Sequence, residues 1–417
     1  MNVFSQKQYT TVGILTILSF AMLPLYLFSS GGFQLVDVMI VLLSLAIFMA
    51  INTNEVQVGG YLISPFIPFI SWSIIINSYY SMYSISEGGY FLSTIQLIFG
   101  FYILFLFSIV FNRILSDPRG VKYLYWSLLA ACITPWLLEA KRGSIRNALS
   151  FNNPNQLAYY SILILSMLLL INSVDTEIRN KGKMRWILTF AILIFSNIFV
   201  IVSASRAGFV IVILLDIYFF YTLLRQHTKL FLFSVFMIVP LLMVAVQSKV
   251  ILNKKPSNDM AEVNHIQTIN KRFNKNDIIE SLSKRAFGHI EDKNDFSIIF
   301  GGGANKGHLG VAKVESMLML EAHNMIMEIF DSYGIIGVVL FLGGSVFFVA
   351  RLGGFPYKWF FFSTLLLYNI SHNGIRFRCM WVAIALISVA ALASRRRQSS
   401  KCYQLSELQA ANRYCRS

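Results

Sequence analysis

Charge is scarce in this sequence, and most of it has one sign. Asp, Glu, Lys and Arg make up 13% of the 417 residues, with 35 basic side chains against 20 acidic ones, for a formal charge of +15. A soluble domain carries about a quarter charged residues. The deficit excludes an ordinary water-soluble enzyme. It also excludes a disordered chain, which combines high charge with few apolar residues. Cysteine is sparse as well: Cys132, Cys379, Cys402 and Cys415 are scattered with no CxxC, so neither a disulfide framework nor a metal cluster is indicated. HExxH, GxSxG and GxxxxGK[ST] are all missing, which removes weight from metal-assisted hydrolysis, serine-hydrolase chemistry and nucleotide binding. No cofactor is called for. The first apolar run has no clear small-residue cleavage site behind it, so it reads as a span and not as a cleaved signal.

What fills the chain instead is apolar. AVILMFWYC account for 56% of the residues, and the mean hydropathy is +0.62. The apolar residues fall in runs near 20 long, the length that spans a bilayer core of about 30 Å. The fold class expected is an all-α polytopic membrane protein of about 12 transmembrane helices. The runs are 11–30, 34–51, 60–78, 91–111, 123–139, 157–173, 186–204, 207–224, 230–247, 335–352, 358–372 and 379–394. This divides the chain into helices 1–9 over 1–247, one large extracytoplasmic loop over 248–334, helices 10–12 over 335–394, and a basic tail over 395–417.

The basic residues choose a side. Arg113, Arg119 and Lys122, then Arg179 to Arg185, then Arg225 and Lys229, then Arg351 and Lys358, and finally Arg395, Arg396 and Arg397 fall in alternate loops, whereas the loops near 29–33 and 79–90 hold neither Lys nor Arg. The positive-inside rule then puts both termini in the cytoplasm. The same pattern accounts for the net charge by helix orientation, so no nucleic-acid partner is expected. A basic tail of this kind touches anionic membrane lipid.

Several cations stand on the side where they should be sparse: Lys141, Arg142 and Arg146, then Arg206, then Arg376 and Arg378. These are candidates for chemistry. Arg206, in Ser203-Ala204-Ser205-Arg206, sits between two apolar runs with almost no loop. An Arg there either snorkels to the interface or offers a planar, permanently charged fork suited to phosphate. Arg146 precedes Asn153-Pro154-Asn155, a helix-start signal that also makes an outward-facing, anion-favouring helix end. The long loop holds Arg272, Arg285 and Gly301-Gly302-Gly303, the glycines reading as a flexible turn that lets backbone approach a bulky ligand. Just before the tenth run comes His323-Asn324 with Glu328 and Asp331. If this stretch is helical, His323 has acidic neighbours and a pKa range suited to proton abstraction. Asp37 and Asp216 lie inside predicted spans. Such residues suit a proton-coupled transporter or polar contacts between helices equally well.

Taken in order, Arg146 with Asn153-Pro154-Asn155, Ser203-Ala204-Ser205-Arg206, Arg285 ahead of Gly301-Gly302-Gly303, and His323-Asn324 followed by Tyr333-Gly334-Ile335-Ile336-Gly337 resemble the O-antigen polymerase and ligase superfamily. The likeness in topology covers the whole chain, and the motifs occupy about 150–340. The resemblance implies a fold related to the C-type glycosyltransferases. It also implies metal-independent, inverting glycosyl transfer on the periplasmic face of the bacterial inner membrane.

Carried over by motif, Arg206 and Arg285 would hold the donor diphosphate, with Arg272 the alternative to Arg285 in the loop. His323 would be the base. Arg146, Asn153, Asn155 and Asn324 would line the substrate. The implied substrate is a polyprenyl (undecaprenyl)-diphosphate-linked oligosaccharide, and the implied partners are a chain-length regulator and a flippase of the same pathway. The leading expectation is a polymerase of repeat units. A ligase that moves the glycan onto a lipid A core would share the same residues, and a transporter of the lipid-linked unit is the alternative from another class.

Overall fold

The computed structural model describes residues 6–26, 33–49, 51, 53–83, 89–117, 120–137, 148–151, 154–178, 183–203, 205–226, 228, 295–304, 324–353, 358–371 and 374–395. About 90% of the described residues are helical and none is in a strand. The helices are α1 (Gln6–Met22), α2 (Leu35–Phe48), α3 (Thr53–Ile63), α4 (Ile67–Tyr83), α5 (Gly89–Ser116), α6 (Val121–Leu137), α7 (Pro154–Ile178), α8 (Lys183–Ser203) and α9 (Arg206–Gln226). They are followed by α10 (Asp295–Phe300), α11 (Met325–Arg351) and α12 (Lys358–Ser371), and by α13 (Arg378–Arg395).

Every apolar run in the sequence has a helix except 230–247, which lies outside the described residues. The helices do not all have spanning length. Among the described residues, seven helices are long and apolar enough to cross a membrane, the α3–α4 pair counting as one. α2 has 14 residues and reaches about 21 Å, short of the hydrocarbon core. α6 has 17 residues and carries Pro135 inside it.

Several boundaries differ from the sequence expectation. The third run is longer than its apolar stretch, from Thr53 to Met82, with a 3-10 turn at Ser64–Phe66 where Pro65 interrupts the α-helical hydrogen bonding. The tenth helix starts at Met325, so the end of the segment read as loop belongs to α11. Residues 295–304, also read as loop, form α10 and the turn behind it.

Burial follows from sequence. α7 is apolar on all sides, and Leu157 to Leu165 and Met167 to Ile171 are almost wholly enclosed, as an all-round apolar helix must be when it is central. α11 instead exposes Ile335, Val339, Val346 and Phe347, an apolar face suited to lipid. Hydroxyls inside the bundle donate back to carbonyls one turn earlier: Thr16 to Val12 at 2.7 Å, Ser44 to Ile40 at 2.6 Å and Ser108 to Leu104 at 2.6 Å. This removes the cost of burying an unpaired polar group. At the end of the bundle formed by the N-terminus of α3 and the C-terminus of α13, Arg113 grips Glu55 with two bonds of 2.6 Å.

Candidate functional site

The opposite end of the bundle collects the starts of α5, α7, α9, α11 and α13. Several of the motifs lie there, and their local structure explains their composition. α7 begins at Pro154, where the missing N–H costs nothing. The carbonyl of Asn155 accepts a 2.6 Å hydrogen bond from the hydroxyl of Tyr368 on α12. Tyr368 also stacks on Tyr159 at 4.4 Å between ring centroids.

The turn before Arg206 is built by its serines. The Ser203 hydroxyl accepts from the Ser205 N–H at 3.3 Å, and the Ser205 hydroxyl accepts from the Gly208 N–H at 3.4 Å. Ser205 thus caps α9, and Arg206 is its first residue. A Cβ on Gly208 would come within 2.9 Å of the Ala158 Cβ, so the glycine lets this turn lie against the first turns of α7.

Asn324 is the N-cap of α11, and its side-chain oxygen accepts from Ile326 N at 2.9 Å and Met327 N at 3.4 Å. That oxygen is therefore committed to the helix start. One turn on, Glu328 receives a 2.8 Å bond from Arg376. With side-chain exposures of 16% and 26% respectively, the pair stands at the rim of the bundle. A cavity of about 20 Å³, lined by residues that include Ser93, Gln96, Glu328, Ser332, Tyr333 and Arg376, has room for about one water.

The glycine run has a different role from the one its sequence suggests. Gly334 breaks α11 with φ 67° and ψ −169°, a conformation open essentially to glycine alone. The break frees carbonyls, and the 301–303 backbone satisfies them: Gly302 N donates to Asp331 O at 2.9 Å and Gly303 N to Ser332 O at 3.0 Å. Side chains on Gly301 and Gly334 would each collide with the other segment's backbone. The close approach that these glycines permit is between two stretches of the chain itself.

Three α4 side chains hold this knot. Trp72 donates to Tyr333 O at 2.9 Å, and the Tyr80 hydroxyl donates to Gly301 O at 2.9 Å. Asn77, which is 1% exposed, accepts from Ala304 N at 3.0 Å and donates to the Thr94 hydroxyl at 2.8 Å and the Tyr333 hydroxyl at 3.4 Å.

Arg378, flagged in the sequence as a cation on the sparse side, proves to be an intramolecular partner. It binds Asp37 on α2 through two bonds of 2.6 and 2.7 Å. Beside it, Tyr26 stacks on Phe377 at 6.0 Å and Tyr26 N donates to Ser150 O at 3.3 Å. This ties the turn ahead of α7 to the α1–α2 connection.

Of the site residues read from sequence, the structure therefore describes Asn155, Asn324 and the backbone of Arg206 at this end of the bundle. Arg146, Asn153, Arg272, Arg285 and His323 lie outside the described residues, as does the side chain of Arg206. Sequence reasoning did not name Trp72, Asn77 or Tyr80. The available signal was a buried-length apolar run interrupted by Trp72, Asn77 and paired tyrosines. No family model and no curated protein matches the chain.

Proposed function

We propose that the protein is a membrane glycosyltransferase that polymerises polyprenyl-diphosphate-linked oligosaccharide units into O-antigen or a related surface polysaccharide. In this reading it works in the bacterial inner membrane with both termini cytoplasmic and the motif-bearing end periplasmic. The observation that carries it is the placement of the motifs in two pairs at one end of the bundle: the turn ahead of Arg206 lies against the first turns of the helix that Asn155 opens, and the Gly301–Gly303 backbone is bound to the Asn324–Gly334 segment. These are the motifs whose order in sequence resembles the O-antigen polymerase and ligase superfamily. Support also comes from the opposite end, where Arg113, Arg351 and Arg395 stand, as the positive-inside rule asks of a cytoplasmic face.

The chemistry needs a charge sink and a base. The acceptor hydroxyl attacks the anomeric carbon of the donor sugar from the side opposite the diphosphate. The bond to the diphosphate breaks, and the configuration inverts. Negative charge grows on the leaving oxygens, and Arg206 with Arg285 or Arg272 holds it more strongly in the transition state than in the ground state. His323 takes the hydroxyl proton, a contribution of roughly 10²–10⁴-fold for a positioned base. No nucleotide is consumed, because the diphosphate linkage carries the driving force.

The test is reconstitution in liposomes with a polyprenyl-diphosphate oligosaccharide as the sole substrate, comparing wild type with His323→Ala by gel or mass spectrometry. A ladder of longer lipid-linked chains from wild type alone is the expected result. Transfer seen only after a lipid A core is added would make the enzyme a ligase. Movement of the unit across the bilayer without elongation would make it a transporter.

A further inference from the structure

The end of the bundle remote from the motifs carries a groove that the glycosyl-transfer reading does not use. Asn54, Gln57, Val58 and Tyr61 follow one another at helical spacing along one face of α3, and Leu392 and Arg395 do the same on the last turn of α13. Between them lies a cavity of about 570 Å³, within the range of small-molecule sites.

Its described walls include one cation. No carboxylate is among the described lining residues. The acid of this part of α3, Glu55, is buried and bound on both oxygens by Arg113, which removes its repulsion from the groove. Arg395 and the side-chain amides of Asn54 and Gln57 line the groove, with Val58 and Leu392 as apolar flanks.

The floor and the cation are both held in place. Arg351 donates to the Ser64 hydroxyl at 2.6 Å and to Tyr61 O at 3.3 Å. Its guanidinium lies 5.1 Å from the Tyr61 ring centroid and 4.1 Å from that of Phe347. This fixes Tyr61 as a wall and adds a second positive charge behind it. The stem of Arg395 rests over Gly353, where φ is 69° and an added Cβ would come within 2.8 Å of the Arg395 Cδ.

We propose that the groove between α3 and α13 binds the phosphate of an anionic phospholipid headgroup. The guanidinium of Arg395 and the amides of Asn54 and Gln57 meet the phosphate oxygens, as a planar donor fork does best. Val58 and Leu392 face the start of the acyl chains. The groove lies at the ends of apolar helices, the level at which headgroups lie, and this favours a lipid as the source of the phosphate over a free anion.

The experiment uses the full chain purified in neutral detergent and mixed with equal amounts of phosphatidylglycerol and phosphatidylcholine, with retained lipid read by native mass spectrometry. Wild type should retain phosphatidylglycerol preferentially. Arg395→Gln should lower that retention about fivefold, the share of one interfacial cation, and Gln57→Leu should lower it further. Arg397→Gln, two positions further along the chain, should leave it unchanged.

Competition by inorganic phosphate would assign the recognition to a phosphate of any origin and remove the lipid from the proposal. Failure of phosphate to compete would support the lipid. Equal retention of the two lipids, or loss on Arg397→Gln as large as on Arg395→Gln, would overturn the site. So would preferential retention that appears only after residues 398–417 are deleted, because the tail would then be the occupant. None of these outcomes depends on whether the protein transfers sugars.

Discussion

Arg378 at the start of α13 and Asp37 in the first turn of α2 are joined by two hydrogen bonds of 2.6 and 2.7 Å, although 341 positions separate them in the chain. With side chains 11% and 6% exposed, each ion has little water to replace the other. Asp37 also accepts from Gln34 N at 2.8 Å, so the same carboxylate closes the start of α2.

Removing one partner therefore leaves a buried charge. Asp37→Asn should cost about 3 kcal/mol, because Asn can still accept from Gln34 N but cannot neutralise Arg378. The check is thermal unfolding in detergent. Asp37→Asn with Arg378→Gln should be less destabilised than the sum of the two single variants. Strict additivity would mean that the pair does not couple.

Two glycines of α11 should respond in opposite ways. Gly334→Ala places a Cβ against the Ile299 carbonyl and Gly301 N at a positive φ, and the protein should fail to accumulate as a monodisperse species on size exclusion. Gly343 has nothing within 4 Å of an added Cβ. Gly343→Ala should therefore be neutral or stabilise by up to about 1 kcal/mol, read as a rise in melting temperature.

Asn77→Leu fills a similar volume but strands the N–H of Ala304 and frees the Tyr333 and Thr94 hydroxyls. The expected loss is about 1–3 kcal/mol, the cost of an unsatisfied buried group. Asn77→Asp keeps the acceptor for Ala304 and should lose less at a pH low enough to protonate the buried carboxyl, which would otherwise be an unpaired charge. The same thermal measurement separates them, and equal losses would show that the Ala304 bond contributes nothing.

At the start of α9, Arg206→Lys keeps the charge and the helix cap made by Ser205 but loses the planar fork. Elongation in the liposome assay should fall about 100-fold, with normal insertion and melting temperature. Near-wild-type elongation would remove Arg206 from the site.

Local features were the legible ones. Asn153-Pro154-Asn155 marked where α7 begins, because Pro suits the first turn of a helix. The apolar runs located the helices for the same reason: hydropathy is a property of the segment itself. Length proved less readable, since α2 and α12 are apolar yet short, at 14 residues each. The partners of Arg376 and Arg378 were hidden because they are contributed by Glu328 and Asp37, and nothing local to an Arg announces a carboxylate on another helix. The glycines at 301–303 were read as room for a ligand. In sequence, a glycine that admits a substrate and one that admits a neighbouring strand of backbone look alike.

The break at Gly334 divides α11 into two rods whose angle is set from outside the helix. The shorter rod, Asn324 to Tyr333, is lashed to the Gly301–Gly303 backbone and through Trp72, Asn77 and Tyr80 to α4. Its heading is thus inherited from α4, while the longer rod continues to Arg351. The longer rod leans on the same pair of helices, Phe341 against Phe66 and Phe69 and Phe348 against Phe66, so both rods take their bearing from the α3–α4 pair. The joint lets one helix follow its neighbour along the membrane and still turn its first residues onto the Gly301–Gly303 backbone.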